Sequence, residues 1–186
     1  MFCELDTFLK HLQAGGIGVV PTDTVPGLVA LPEYAQQIYT FKGRSPDKPL
    51  ILLGEHGAAL RPFTRGWLPV WSQLSQRGWP GSLTLVLPAS DKVPSAIHRG
   101  SETVGIRVPK QPELIALLAL CGVLASTSVN LSGEDPLTTP EQISERFPDL
   151  LLLAGSYQGS GRASTVVRWQ ETEWQWEVLR QGSFFV

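Results

Sequence analysis

The side chains of this chain best suited to chemistry sit in six short polar segments, each set against apolar residues. The densest is Phe41-Lys42-Gly43-Arg44-Ser45-Pro46-Asp47-Lys48-Pro49-Leu50, which carries three cations between Lys42 and Lys48. Gly43 and the prolines bar a regular helix, so the segment reads as a rigid cationic loop feeding the apolar run 50–53. Such a loop is a place to hold an anion. Arg44 offers a planar fork to phosphate or carboxylate, and Lys42 and Lys48 offer point charges. The plainer reading is a solvated basic turn.

The other segments lie at the ends of expected strands. Thr22-Asp23-Thr24 belongs to a hydroxyl-rich loop over 21–27, too stiff and polar to be core. Arg107 stands inside Gly105-Ile106-Arg107-Val108-Pro109. A lone arginine on an apolar strand is costly unless paired, so it is expected to meet an anion, either a ligand or an acidic side chain of this chain. Ser126-Thr127-Ser128-Val129-Asn130-Leu131-Ser132-Gly133 brings four hydroxyls and an amide out of an apolar strand. It can present donors to a ligand, or form an Asx or Ser/Thr turn bonded to its own backbone. Ala163-Ser164-Thr165-Val166-Val167 and Leu179-Arg180-Gln181-Gly182 are weaker signals whose default is plain strand.

Several familiar sites are missing from the sequence. It has neither the Gly-x-x-x-x-Gly-Lys-Ser/Thr phosphate loop nor a Gly-x-Ser-x-Gly elbow. His11, His56 and His98 are far apart without ligand spacing, so a protein zinc site is not expected and each reads as a surface or cap residue.

Bulk properties narrow the class further. The 186 residues suit one domain, and the net charge of −2 means that any phosphate or nucleic-acid site must be a local patch. Cys3 and Cys121 lack metal or redox spacing, which points to a reduced, cytosolic compartment. Glu4, Asp6, Lys10 and His11 exclude a signal-peptide core at the start, and no apolar run is long enough to span a membrane.

Alternating helices and strands must position the polar segments. Leu5, Phe8, Leu9 and Leu12 recur at helical spacing, and Gly15-Gly16 stops that helix. Strands are expected over 17–20 and 28–31. A helix follows over 32–39 with Ala35, Ile38 and Tyr39 inward, then a strand over 50–53. Trp67, Val70, Trp71 and Leu74 mark an amphipathic helix that Trp79-Pro80-Gly81 ends. Further strands are expected over 83–87, 104–108, 123–126, 150–153, 165–169 and 176–179. Helices are expected over 112–121 and from a capping box at Thr139-Pro140-Glu141-Gln142. Segment 155–161 reads as a flexible loop. The alternation predicts one α/β or α+β domain, residues 1–186, around a single sheet.

Together the polar segments resemble a known family. The chain is similar to the YrdC-type threonylcarbamoyl-adenylate synthases, also called TsaC, from about Ile17 to Gly182. Seven motifs in order carry the resemblance. They are Pro21-Thr22-Asp23-Thr24-Val25 with Gly27-Leu28, Lys42-Gly43-Arg44 with Pro49-Leu50-Ile51, Trp79-Pro80-Gly81 with Leu83-Thr84, and Gly105-Ile106-Arg107-Val108-Pro109. Then come Ser128-Val129-Asn130 with Ser132-Gly133, Ser164-Thr165-Val166-Val167, and Leu179-Arg180-Gln181-Gly182.

The resemblance implies a strongly twisted, mixed β-sheet flanked by helices and enclosing a concave, positively lined cavity. It implies a nucleotidyltransferase reaction in which L-threonine, bicarbonate or CO2, and ATP give L-threonylcarbamoyl-AMP and pyrophosphate. The product would feed threonylcarbamoyladenosine formation at position 37 of tRNA, through downstream transfer proteins of the cytoplasm. Longer members carry an extra C-terminal domain, and this chain, ending four residues after Gly182, would be the short form.

Carried over residue by residue, the resemblance implies a catalytic, nucleotide-binding tetrad of Lys42, Arg44, Ser128 and Asn130. Lys48, Thr103 and Arg180 match further ATP contacts. Thr24, Arg107, Ser126 and Ser164 match the threonine pocket, with Arg107 on the amino-acid carboxylate. Mg2+ would arrive with the ATP phosphates, without a dedicated protein cage. The reaction asks little covalent work of the protein. The carbamate of threonine attacks the α-phosphorus while pyrophosphate leaves, so the site must position two anions and neutralise developing charge.

The chain departs from the family at Pro26, Leu53, Pro136 and Arg168, where tyrosine, histidine, serine and an acidic residue are common. Pro26 and Leu53 fall in or near the implied amino-acid pocket. Two alternatives stay open: a paralogue that binds double-stranded RNA or tRNA without turnover, tracking phosphates with Lys42, Arg44, Lys48, Arg107 and Arg180, or a carbamoyl-adenylate former with another substrate.

Overall fold

Two apolar periodicities in the sequence build two kinds of element, which the computed structural model describes over residues 1–43 and 48–186. Arg44 therefore lies outside the described residues. The strands are β1 (Phe2–Cys3), β2 (Gly18–Val20), β3 (Gly27–Ala30), β4 (Ile51–Gly54), β5 (Leu83–Pro88), β6 (Thr103–Arg107), β7 (Val123–Ser128), β8 (Leu151–Leu153), β9 (Thr165–Gln170) and β10 (Gln175–Arg180). The helices are α1 (Leu5–Gln13), α2 (Gln36–Lys42), α3 (Gly57–Leu60), α4 (Pro69–Gly78), α5 (Ser95–His98), α6 (Pro112–Cys121) and α7 (Pro140–Arg146).

The described strands join one mixed sheet in the order β1-β8-β2-β3-β7-β4-β6-β5-β9-β10. β1 with β8, β2 with β8, β4 with β6 and β5 with β9 are parallel, and the remaining neighbours are antiparallel. A right-handed step of about 20–25° between neighbours accumulates into a strong twist.

Because side chains alternate along a strand, register decides which helices each residue meets. Val19, Leu28, Ala30, Leu52, Ala125 and Leu152 share one face and pack with Ile38 and Tyr39 of α2, Trp71 and Leu74 of α4, and Ile143 of α7. Val20, Val29, Leu53, Leu124 and Leu153 turn to the other face and meet Phe8 and Leu12 of α1 and Leu114, Leu117 and Leu118 of α6. Helices thus flank both faces, the α/β arrangement expected for a sheet with apolar residues on each side.

Three local expectations change. The helix expected over 32–39 opens as a 3-10 turn, Pro32–Tyr34, and continues as α2 to Lys42. Lys42 therefore closes a helix instead of opening a loop, and Gly43 caps it at φ 53°, a conformation that favours glycine. β7 runs to Ser128, beyond the expected end at 126, because Thr127 and Ser128 keep pairing with Leu28 and Gly27 of β3. Segment 155–161 is tied down. Ser156 N–H donates to Glu113 Oε1 at 3.1 Å, the Tyr157 hydroxyl reaches the carbonyls of Val19 and Leu153 at 3.2 and 3.0 Å, and Gly161 N–H donates to the Thr24 carbonyl at 3.0 Å. At Gly159 a Cβ would come within 2.3 Å of the Thr24 carbonyl oxygen, so only glycine permits this approach.

The caps follow the sequence. In α7 the Thr139 hydroxyl accepts the Gln142 N–H at 3.3 Å while Gln142 Oε1 accepts the Thr139 N–H at 3.2 Å. His56 Nδ1 accepts the Ala59 N–H at the start of α3, His98 Nδ1 accepts the Gly100 N–H, and His11 Nε2 lies 2.9 Å from the Ile17 carbonyl.

Candidate active site

On the sheet face shared with α1 and α6, strand ends left uncovered by those helices enclose a cavity of about 270 Å3. Pairing sets its floor. Ile51 stands opposite Ser126, Gly27 opposite Ser128, and Leu53 opposite Arg107. The 22–26 loop, Pro49, Pro109, Pro136 and the 163–166 segment complete the wall.

Arg180 arrives by an irregularity. β10 pairs residue for residue with β9 as far as Val178 opposite Val167, and then Arg180, not Leu179, stands opposite Val166. This bulge inserts one residue and turns Arg180 onto the face of Val166, where both line the cavity. Strict alternation would have put Leu179 there.

The wall between β2 and β3 is buried, against the expectation that this loop is too polar for the core. Thr22 is 5 % and Thr24 2 % exposed. Their hydroxyls satisfy the loop from within: Thr22 Oγ1 accepts the Thr24 N–H at 3.0 Å, donates to the Val25 carbonyl at 2.7 Å and lies 3.0 Å from Thr24 Oγ1. Internal partners of this kind remove the desolvation penalty that made burial look unfavourable.

Arg107 meets an anion, and in the structure that anion is Asp23. Nη2 donates to Asp23 Oδ1 at 2.8 Å, Nη1 to Thr24 Oγ1 at 2.9 Å, and Nε to the Gly81 carbonyl at 2.9 Å. Of the two readings left open by the sequence, the internal ion pair is therefore realised. Burial pushes the Arg107 guanidinium below its ordinary value, and the Asp23 charge opposes that shift. Ser164 is the second hub. Its Oγ lies 2.8 Å from Thr84 Oγ1 and accepts from Arg180 Nη2 at 3.2 Å, while its carbonyl accepts from Arg180 Nε at 3.0 Å. Burial also lowers Arg180.

The residues matched to threonine, Thr24, Arg107, Ser126 and Ser164, all line this one cavity. Those matched to the nucleotide divide. Ser128 and Arg180 line it too. Lys42 and Asn130 do not. They are 2 % and 8 % exposed and turned towards each other behind Ser128. Lys42 Nζ donates to the carbonyls of Ser128 and Asn130 at 2.6 and 2.5 Å. Ser128 Oγ donates to Asn130 Oδ1 at 2.6 Å, and Asn130 Nδ2 donates to the carbonyls of Leu131 and Glu134. The self-bonded turn weighed against ligand binding is thus present. Lys48 is exposed beside the lining residue Pro49. Thr103 begins β6, bonded to Ser101 Oγ at 2.9 Å. Four residues of strand, roughly 13 Å, separate it from Arg107.

Three residues of the site escaped the reading of the sequence as functional. Asp23 was visible only as part of a polar triplet. Thr84 is a fully buried hydroxyl among the leucines of β5, the same kind of signal that singled out Arg107. Pro136 enters the wall from a loop far in sequence from the strands it faces. Of the departures, Pro26, Leu53 and Pro136 line the cavity, whereas Arg168 pairs with Glu177 across the β9–β10 hairpin at 3.4 Å.

A twisted mixed sheet with a hydroxyl- and arginine-lined cavity at its strand ends defines a YrdC-like α/β protein. A family model described as telomere recombination, spanning Sua5, YciO and YrdC proteins, matches residues 10–182, and the chain belongs to that family. It is 35 % identical over 176 residues to a threonylcarbamoyl-AMP synthase of Hydrogenovibrio crunogenus, covering 89 % of this chain and 95 % of the relative. It superposes on Pyrococcus abyssi Sua5 complexed with L-threonine with a TM-score of 0.90 at 29 % identity, over 98 % of this chain but 57 % of that one. The chain thus spans little more than half the length of the Pyrococcus protein. YciO of E. coli shares the fold, with a TM-score of 0.86 at 23 % identity over 98 % of this chain and 95 % of that one.

Proposed function

We propose that this protein is a threonylcarbamoyl-AMP synthase that joins L-threonine, bicarbonate or CO2, and ATP into L-threonylcarbamoyl-AMP with release of pyrophosphate. The observation that carries the reading is the convergence of Thr24, Arg107, Ser126 and Ser164 on one cavity whose rim holds Ser128 and Arg180. Five segments remote in sequence supply small hydroxyls and two guanidiniums, the groups that hold an amino acid beside a phosphate. The Pyrococcus relative crystallised with L-threonine supports the amino-acid half.

In this reading the amino acid sits against Thr24, Ser126 and Ser164. Arg107 has five N–H donors, three of them used within the protein, which leaves two for a carboxylate. The α-phosphate lies towards Ser128 and Arg180. As the carbamate oxygen bonds to phosphorus and the pyrophosphate oxygen departs, Arg180 offsets the charge on the phosphate oxygens. Lys42 and Asn130 shape the turn that presents Ser128. Lys48 supplies a cation from beside Pro49, Arg44 is matched to the nucleotide by sequence alone, and Thr103 belongs to the outer reach of the nucleotide.

Among the described residues the lining holds hydroxyls and no carboxylate, and no three His, Cys, Asp or Glu side chains group as metal ligands. That donor set suits Mg2+ carried in on the ATP phosphates, keeping most of its waters. The product is a mixed anhydride, so its natural consumer is an acyl transfer to an amine, in this reading adenosine 37 of tRNA through partner proteins in the cytoplasm. Among the described residues no helix is long and apolar enough to cross a membrane. The names of the relatives favour the synthase over an RNA-binding module or a synthase for another amino acid. The test is incubation of the pure protein with ATP, Mg2+, bicarbonate and each amino acid. Threonine-dependent adenylate and pyrophosphate are expected, and tight ATP binding without adenylate from any amino acid overturns the reading.

A further inference from the structure

We infer that Asp23 is a positioning residue of the amino-acid site: through Arg107 it fixes the Thr24 hydroxyl as a hydrogen-bond acceptor facing the cavity. The inference rests on the reading above that the amino acid binds against Thr24.

The starting observation is that Arg107 is already engaged. Its guanidinium joins the Asp23 carboxylate, the Thr24 hydroxyl and the Gly81 carbonyl, each at 2.8 or 2.9 Å. The Arg107 and Asp23 side chains are 6 % and 17 % exposed, so solvent screens the pair weakly. The same Asp23 Oδ1 accepts the Lys110 N–H at 2.9 Å, and the Asp23 carbonyl accepts the Ser160 N–H at 3.1 Å. Asp23 thus ties the 22–26 wall to the chain just beyond β6 and to the 155–161 segment. An arginine held at three points has one orientation.

Counting protons assigns the hydroxyls. Thr22 Oγ1 gives its one hydrogen to the Val25 carbonyl at 2.7 Å. Its contact of 3.0 Å with Thr24 Oγ1 must then take its hydrogen from Thr24. Thr24 Oγ1 also accepts from Arg107 Nη1. One lone pair is left, on a residue that lines the cavity. Such an oxygen selects an N–H of the amino acid or its carbamate and turns away a carboxylate oxygen. Without Asp23 the guanidinium is free to swing towards the incoming carboxylate, and Thr24 is free to rotate its hydrogen into the cavity.

The experiment uses the whole protein and compares Asp23→Asn, Thr24→Val and the double variant. Threonine KM, ATP KM and kcat are read from pyrophosphate release, and folding from thermal unfolding. Asp23→Asn is expected to raise the threonine KM roughly ten- to a hundredfold, the worth of one charge-assisted hydrogen bond. The ATP KM should stay within about twofold. In the Thr24→Val background, Asp23→Asn should change the threonine KM by no more than about twofold, because the group it positions is gone. If Asp23→Asn fails to fold, Asp23→Glu, which keeps the charge but displaces it, carries the same comparison. Equal changes in both KM values, full additivity with Thr24→Val, or an unchanged threonine KM overturns the role of Asp23. A wild-type protein that forms adenylate while Asp23→Asn matches it overturns this inference alone. A wild-type protein that forms none overturns the functional reading and this inference with it.

Discussion

Lys42 and Asn130 meet through two hydrogen bonds. The Lys42 ammonium donates to the Asn130 carbonyl at 2.5 Å and to its Oδ1 at 3.1 Å, with its third bond to the Ser128 carbonyl at 2.6 Å. Asn130 Oδ1 also takes the Ser128 hydroxyl, and its Nδ2 holds the carbonyls of Leu131 and Glu134. A buried cation thus organises the turn from the end of β7, and it does so from the last residue of α2. Lys42→Met should lower stability by roughly 3 kcal/mol, since several buried acceptors lose a charged donor. The measurement is the urea midpoint at constant slope. Lys42→Arg should not restore it, because a planar fork cannot meet three convergent oxygens. A stable, fully active Lys42→Met would show that the turn holds without the cation.

Arg107→Ala should raise the threonine requirement far more than the ATP requirement. Of its partners, Thr24 lines the amino-acid side of the cavity, and Asp23 and Gly81 hold the guanidinium beside it. Loss of charge-assisted bonds worth about 1.5–3 kcal/mol corresponds to roughly ten- to a hundredfold in threonine KM. Initial rates at saturating ATP check this. A selective loss of ATP affinity would reverse the assignment of the two halves.

Pro26 lines the cavity beside Val25 and Gly27. It fixes the backbone next to Thr24 but brings no hydrogen-bond donor. The protein should accept threonine together with detectable serine, and Pro26→Tyr should sharpen the ratio towards threonine by roughly ten to two hundredfold. Competition between the two amino acids for adenylate formation measures it. An unchanged ratio would remove position 26 from contact with the substrate.

Glu113 gives the protein an acid-sensitive strap. Burial pushes its carboxyl up, but its own backbone N–H, the Ser156 N–H and the Gln111 amide outweigh that and hold it below the ordinary 4.5. A depressed folded-state pKa contributes stability that is complete above the unfolded value and disappears as pH falls through the folded one. Acidification should therefore release segment 155–161 from α6. Amide exchange at Ser156 should accelerate below the ordinary carboxylate range, and Glu113→Gln should remove that acid dependence. Exchange at Ser156 that is indifferent to pH in the wild type, after correction for intrinsic rates, would contradict the strap.

Much of this architecture was legible in the chain itself. The spacing of Leu5, Phe8, Leu9 and Leu12 reports α1, the capping box at Thr139 reports α7, and Pro112 to Cys121 reports α6 with the observed bounds. These are local signals, since backbone hydrogen bonds, caps and apolar period are satisfied within one segment. The need of Arg107 for an anion was equally legible, because burial of an unpaired guanidinium is prohibitive wherever the strand packs.

What only the tertiary structure decided is which partner answers each need. Sequence cannot tell whether Arg107 meets a ligand or Asp23, because the two are 84 residues apart and only the packing of the 22–26 loop against the end of β6 brings them to 2.8 Å. It cannot show that Lys42, on the last turn of a helix, donates to a turn 86 and 88 residues away. Nor does alternation place Arg180 on the cavity face. A single extra residue at Leu179 reverses the parity of β10, and that bulge exists only in the pairing of β10 with β9. Local periodicity determines the elements because each is stabilised by neighbours along the chain. The site belongs to the fold because its charges and hydroxyls are satisfied across strands.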